Sequence, residues 1–160
     1  MNYRHAFHAG NFADVVKHAT LALLVERLKE KETAFRIIDT HAGVGVYDLT
    51  RGAALRTQEW RHGIGRLWDR SLPPPLAELV APYLSAVAAL NGPGPLTRYP
   101  GSPWIVRHLL RGQDRLTAVE LHPEDAKAIP TPTPSPKRSP RPPRPTPSPR
   151  ATPTASPRAR

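Results

Sequence analysis

Residues 37–45 read Ile37-Ile38-Asp39-Thr40-His41-Ala42-Gly43-Val44-Gly45, an apolar run that passes directly into a glycine-containing turn. The segment 35–39 is typical of a short strand, and the segment 40–47 is typical of a loop. Glycines at the carboxyl end of a strand let the backbone approach a nucleotide closely. The turn therefore favours a nucleoside-binding α/β domain, although an ordinary tight turn would also explain the two glycines.

A second strand is predicted over residues 116–121, and Glu120 lies near its end. In nucleoside-binding α/β folds, an acid at the end of the next strand accepts hydrogen bonds from the ribose hydroxyls. A carboxylate suits this role because it can accept from two neighbouring hydroxyls at once, although a solvated acid is also common at a strand end. The two strand ends together favour nucleoside binding. Because the turn at 39–45 lacks the third glycine of a dinucleotide fingerprint, S-adenosylmethionine (SAM) is favoured over a nicotinamide dinucleotide.

Helical periodicity is found on both sides of these strands. Asn11 is the predicted N-cap of a helix over 12–30, whose middle is apolar on all sides and is therefore predicted to be buried. Further helices are predicted over 55–68, 76–90 and 104–110, and a helix start is predicted at 122–125. The order of helix, strand, helices and strand predicts an incomplete α/β domain with a parallel sheet and a helical insertion between its two strands.

The composition changes abruptly at Pro130. Residues 130–160 contain twelve prolines, seven lysines or arginines and no acidic residue. This tail supplies +7 of the formal net charge of +10, so the basic balance of the chain does not by itself indicate a nucleic-acid-binding domain over residues 1–129. Proline at this density prevents helices and sheet ladders, so the tail is predicted to be disordered.

Two interpretations of the tail remain open. It is either a disordered basic arm that binds RNA phosphates or a frameshifted reading of a GC-rich gene, since proline and arginine codons are rich in G and C. The switch falls in the middle of a predicted helix, after Glu124-Asp125-Ala126-Lys127. That position favours the frameshift.

Several classes of protein are excluded or disfavoured by the composition. The chain has no cysteine, so disulfides, zinc–thiolate sites and thiol nucleophiles are excluded. No apolar run reaches the ~18–20 residues of a membrane helix, and the N-terminus lacks an apolar signal core, so a cytoplasmic protein without membrane association is expected. His8 and His18 are too far apart for a helical ligand pair, so no metal is expected.

Four motifs stand in one order along the chain. They are Tyr3-Arg4-His5-Ala6-Phe7-His8-Ala9-Gly10-Asn11-Phe12-Ala13-Asp14-Val15-Val16-Lys17-His18, Asp39-Thr40-His41-Ala42-Gly43-Val44-Gly45, Tyr99-Pro100-Gly101-Ser102-Pro103 and Glu120-Leu121-His122-Pro123. With these motifs, residues 1 to about 128 closely resemble the RlmJ family. Members of that family are bacterial enzymes that use SAM to methylate N6 of one adenine in 23S ribosomal RNA.

The resemblance implies a fold, a cofactor and a set of site residues. The implied fold is a Rossmann-like SAM-dependent methyltransferase domain over residues 1–129, incomplete and with a helical insertion at about 47–97. The implied SAM-binding residues are Lys17, His18, His41, Ser102 and Glu120. Tyr3 is implied to lie near the substrate adenine, 23S ribosomal RNA is the implied partner, and a monomer is expected.

One expected motif of the resemblance is absent from the 160 residues. The N6 amine is a poor nucleophile because its lone pair is delocalised into the ring. The resemblance implies that family enzymes overcome this with an Asp-Pro-Pro-Tyr motif at the end of a strand. This motif accepts hydrogen bonds from the amino group, and its tyrosine stacks on the flipped base. Consecutive prolines occur at 73–75, between leucines, and at 142–143, between arginines. No catalytic residue is therefore assigned, and the chain is expected to be inactive as it stands; the alternative is a noncatalytic RNA-binding module that uses the basic tail.

Overall fold

The structure is a computed structural model that describes residues 5–68 and 70–128. Tyr3 and the tail at 130–160 lie outside the described residues, so the predictions made for them stay predictions. The helices and strands are α1 (Phe12–Lys29), β1 (Arg36–Asp39), β2 (Val46–Asp48), α2 (Gly52–Thr57), α3 (Pro74–Asn91), β3 (Arg98–Pro100), α4 (Ser102–Leu109), β4 (Arg115–Ala118) and α5 (Pro123–Ala128). Short 3₁₀ turns lie at His5–Phe7, Glu59–His62 and Ile64–Arg66.

Helix α1 begins where its cap was predicted. The Asn11 side chain accepts a hydrogen bond from the backbone N–H of Asp14 at 3.0 Å, which satisfies one of the open donors of the first turn. Ala22 and Val25 are buried against the core, whereas Leu24 is 58% exposed. The prediction that the middle of this helix is buried on all sides was therefore wrong, because only one face of α1 packs against the described residues.

The two predicted strands form a parallel pair. Strands β1 and β4 are in register from Arg36 opposite Arg115 to Asp39 opposite Ala118. Alternate residues on each strand turn to the same side, where α4 packs against the sheet. Because parallel strands end at the same edge, the loop after β1 and the acidic segment after β4 are brought together.

The segment between β1 and β4 contains α2 and α3 and also an antiparallel pair that the sequence did not predict. Strands β2 and β3 pair from Val46 opposite Pro100 to Asp48 opposite Arg98. Helix α3 lies against α1 and α4, and the largest fully buried side chains include Tyr83, Tyr99 and Ile105. The core thus lies between these helices and β3, next to the parallel pair.

The single helix predicted over 55–68 was wrong. Helix α2 ends at Thr57, Gln58 adopts a positive φ of 52°, and short 3₁₀ turns follow. The physical reason is a close approach of two backbones at Gly63. A Cβ there would lie 2.1 Å from the carbonyl oxygen of Gly10, and the next residue, Ile64, donates its N–H to that oxygen at 2.9 Å.

Within the described residues, no helix combines the length and the apolar character that crossing a membrane requires.

Candidate functional site

A cavity of about 900 Å³ opens where β1 and β4 end. Its volume falls in the ~300–1,000 Å³ range of ligand-binding pockets. All five residues that the resemblance assigned to the cofactor line this cavity, and they come from α1, the loop after β1, the start of α4 and the segment after β4. They are Lys17, His18, His41, Ser102 and Glu120.

The floor of the cavity is the glycine turn. Gly43 and Gly45 have positive φ values of 62° and 76°, a region that favours glycine. A Cβ on Gly43 would lie 2.7 Å from the hydroxyl oxygen of Tyr47, so a side chain there would also require Tyr47 to shift. The N–H of Gly101 donates to the carbonyl oxygen of Gly45 at 2.7 Å and ties the turn to the start of α4.

The carboxylate of Glu120 is fixed from both sides. One oxygen accepts from the backbone N–H of His122 and the other from that of Gly43, each at 2.8 Å. These two backbone donors hold the pKa of Glu120 below its ordinary value, so the group is an anion at neutral pH. Each oxygen keeps one further lone-pair direction, so the carboxylate can still accept hydrogen bonds from a ligand in the cavity.

Ser102 is held to the end of β1. Its hydroxyl donates to one oxygen of Asp39 at 2.6 Å, and the other oxygen of Asp39 accepts the backbone N–H of His41 at 3.2 Å. The Thr40 hydroxyl and the His41 ring nitrogen Nδ1 lie 3.0 Å apart. Asp39 therefore fixes two of the cavity-lining residues, although it does not line the cavity itself.

Asp14 organises the N-terminal wall of the cavity. This carboxylate is 2% exposed and accepts from the backbone N–H of Gly10 at 3.0 Å, from His5 Nε2 at 2.9 Å and from Lys17 Nζ at 2.8 Å. Although burial raises its pKa, the hydrogen bonds from His5 and Lys17 hold the pKa of Asp14 well below its usual range. A buried anion is stabilised at this position because both of its carboxylate oxygens accept hydrogen bonds.

His18 enters the cavity wall from α1. Its Nδ1 lies 2.8 Å from the hydroxyl of Tyr99, and the two rings are stacked with their centroids 5.6 Å apart. Burial lowers the pKa of His18 to about 4, even though Asp14 opposes the shift. The imidazole is therefore neutral at physiological pH.

Asp14 and Tyr99 were not predicted from the sequence as site residues. The spacing of Asp14 from Lys17 and His18, three and four positions along a predicted helix, indicated a shared face and could have identified the first. Nothing in the local sequence indicates the contact of Tyr99 with His18, because the two residues lie 81 positions apart. Over residues 5–68 and 70–128, no three His, Cys, Asp or Glu side chains gather into a group that could hold a metal ion.

Comparisons with known proteins agree with this architecture. A family model described as "Ribosomal RNA large subunit methyltransferase D, RlmJ" matches residues 32–135. Proteins named ribosomal RNA large subunit methyltransferase J from Escherichia coli and Haemophilus influenzae are 51% and 48% identical, each over 78% of this chain and 44% of its own length. A crystal structure of a Legionella pneumophila protein superposes with a TM-score of 0.68 at 40% identity, covering 76% of this chain and 43% of that one.

The parallel pair and the cavity at its carboxyl edge are those of an incomplete α/β methyltransferase fold. The chain belongs to the RlmJ family of ribosomal RNA large subunit methyltransferases. It spans less than half the length of the curated relatives that it matches.

Proposed function

We propose that the cavity binds SAM and that the complete domain transfers its methyl group to N6 of an adenine in 23S ribosomal RNA, in the cytoplasm. The relatives' names support a ribosomal RNA substrate of the large subunit. SAM and the adenine N6 position rest on the family resemblance of the four motifs. The 160-residue chain supplies the cofactor half of this site.

The observation that carries the proposal is the convergence of the assigned residues. Lys17 and Glu120 are more than a hundred positions apart, yet both line one cavity with the other three residues of the set. The motifs that contain these residues are well separated along the sequence, so the fold brings the residues together. These residues meet at the carboxyl edge of a parallel pair, and this edge is where ligands of open α/β sheets bind.

The residues present fit the groups of SAM. The fixed carboxylate of Glu120 has lone pairs left for two ribose hydroxyls, and the backbone at Gly43 lacks the Cβ that would block close approach. SAM would supply an activated methyl group. The chain's own residues would bind and orient SAM. Glu120 would hold the ribose, and His41 and Ser102 line the same cavity. Asp39 fixes the Ser102 side chain.

Substitution of Glu120 tests the cofactor site. We expect Glu120→Ala to weaken SAM binding by roughly tenfold or more, because a hydrogen bond to a charged acceptor contributes ~1.5–3 kcal/mol. Isothermal titration of SAM into the parent and the variant measures the change. Glu78→Ala is the matched control, since Glu78 is an exposed acid on α3 that does not line the cavity.

Unchanged affinity in Glu120→Ala would place the nucleoside site elsewhere. Equal losses in Glu120→Ala and Glu78→Ala would show a general effect of charge and would also reject the assignment. A loss confined to Glu120→Ala supports the proposed contact.

A further inference from the structure

Three ring side chains form a hydrogen-bonded chain that leads from the core to the cavity. The hydroxyl of Tyr83 on α3 lies 3.1 Å from that of Tyr99 on β3, which lies 2.8 Å from Nδ1 of His18 on α1. The two tyrosines are 0% exposed and His18 is 2% exposed. Of the three residues, His18 alone lines the cavity.

The number of protons available fixes the direction of donation along these two hydrogen bonds. A phenol carries one proton, and Tyr99 is the hydrogen-bond partner that the described residues offer the Tyr83 hydroxyl. If His18 donated to Tyr99 and Tyr99 to Tyr83, the buried proton of Tyr83 would have no acceptor, which carries the full cost of desolvating a donor. In the opposite direction both phenolic protons have an acceptor, so Tyr83 donates to Tyr99 and Tyr99 donates to Nδ1 of His18.

The direction of donation also fixes which nitrogen of the His18 ring carries its proton. The buried imidazole is neutral at physiological pH, so it carries one proton, and Nδ1 is occupied as an acceptor. The proton therefore resides on Nε2. This atom has no hydrogen-bond partner within the described part of the chain, and His18 faces the cavity.

We propose that Tyr83 and Tyr99 are positioning residues that lock His18 in the Nε2–H tautomer, so that His18 donates a hydrogen bond to an acceptor oxygen of the bound ligand. A group that only donates, such as the ammonium of an amino acid, is excluded from this position. The identity of the ligand as SAM rests on the proposed function, whereas the tautomer does not. On SAM, the acceptor oxygen belongs either to the carboxylate or to the nucleoside.

Nitrogen NMR of the 160-residue chain labelled with ¹⁵N-histidine tests the tautomer without any ligand. The His18 signals are assigned by their loss in His18→Gln. We expect Nε2 at the protonated and Nδ1 at the unprotonated chemical shift at neutral pH. A protonated Nδ1 or a mixture of tautomers in the parent chain would overturn the proposal.

The tyrosine variants test the lock itself. Tyr99→Phe removes a donor that favours the neutral ring, so the pKa of His18 should rise and Nδ1 should lose the shift of a hydrogen-bonded acceptor. The titratable groups that face His18 — Asp14, Lys17 and His5 — stay in place in this variant. Tyr83→Phe should change the same two quantities in the same direction but less, and it serves if Tyr99→Phe does not fold.

Tyr47→Phe is the matched control, since Tyr47 is another buried tyrosine of the cavity wall. It should leave both His18 quantities unchanged. A fall in the pKa of His18 in Tyr99→Phe, or no change in either tyrosine variant, would show that His18 donates through Nδ1 or that no lock exists.

Two replacements of His18 test the donor at Nε2 by calorimetry with SAM. His18→Gln can place an amide N–H near the position of Nε2, whereas His18→Asn reaches only the position of Nδ1. We expect His18→Asn to bind SAM about tenfold more weakly than His18→Gln, a difference typical of one lost hydrogen bond in a buried site. Equal affinities of the two variants would overturn the donor role.

A second ligand separates the two sources of the acceptor oxygen. 5′-Methylthioadenosine lacks the amino-acid group, so a difference seen with SAM alone assigns the acceptor to the carboxylate. A difference seen with both ligands assigns it to the nucleoside. If the parent chain binds neither ligand, the proposed function fails while the NMR result still decides the tautomer.

Discussion

At the residue scale, the candidate site depends on side chains that are already paired before a ligand arrives. Glu120 is fixed by two backbone N–H groups, Ser102 by Asp39, and Lys17 by Asp14. Paired groups lose little freedom when a ligand binds, because their rotamers are already fixed. The cavity is therefore preorganised, and each of these pairs predicts a cost in ligand affinity when one partner is removed.

The buried, neutral His18 makes the stability of the chain depend on pH. An unfolded histidine binds a proton below about 6.5, whereas native His18 binds one only below about 4. Between these values the unfolded state holds more protons, so stability is present in full above pH 6.5 and is lost as the pH falls towards 4. We expect His18 to account for a loss of about 3 kcal/mol in the free energy of unfolding over this window.

Urea unfolding of the parent and of His18→Gln at a series of pH values measures this term. The carboxylates and the other histidines are the same in both proteins, so the difference between the two curves is assigned to His18 and its interaction with Asp14. The free energy of unfolding should fall less steeply with decreasing pH in His18→Gln. Parallel curves between pH 4 and 6.5 would contradict a buried neutral imidazole.

At the element scale, the turn after β1 and the contact of Gly63 show what the sequence could and could not predict. The strand, the glycine turn and the acid after β4 are local patterns, so their positions were predicted closely. The break between α2 and the 3₁₀ turns arises from the distant Gly10, and β2 pairs with the distant β3. Periodicity reports only on neighbours along the chain, so these features could not be predicted from it.

Substitution of Gly63 tests this account of the break. Gly63→Ala would place a Cβ 2.1 Å from the carbonyl oxygen of Gly10 and 2.4 Å from the carbonyl carbon of Asn11, and these backbone atoms cannot move without displacing the cap of α1. We expect a destabilisation of roughly 3 kcal/mol or more, measured by thermal or urea unfolding.

Gly112→Ala is the control for that experiment. A Cβ at Gly112 would meet nothing within 4 Å, so the free energy of unfolding should change by less than about 1 kcal/mol. Similar destabilisation by both substitutions would contradict the close approach at Gly63.

At the scale of the whole molecule, the described residues leave apolar side chains exposed on the parallel pair and in the segment after β4. Ile38 on β1 is 61% exposed, and Leu121 after β4 is 94% exposed. Parallel sheets are normally covered on both faces, and the relatives are more than twice as long as the matched region. We expect the remainder of the methyltransferase domain to cover these exposed apolar residues.

The 160-residue chain is expected to transfer no methyl group to RNA. Its sequence lacks the Asp-Pro-Pro-Tyr motif that the family resemblance implies for positioning the adenine amine, and loss of such positioning groups lowers rates by several orders of magnitude. Incubation with radiolabelled SAM and unmodified 23S ribosomal RNA measures this directly. Transfer above a blank without protein would show that another residue of this chain supplies the missing function.

The most direct test of the central claim is to complete the fold. Residues 1–128 are joined to the C-terminal part of the Escherichia coli relative, and methyl transfer from SAM to unmodified 23S ribosomal RNA is measured. We expect N6-methyladenine to form, and its formation at limiting SAM to fall about tenfold or more in the same chimera with Glu120→Ala. A chimera that unfolds cooperatively as one unit, yet forms no N6-methyladenine, would contradict the claim that this chain is the cofactor-binding half of such an enzyme.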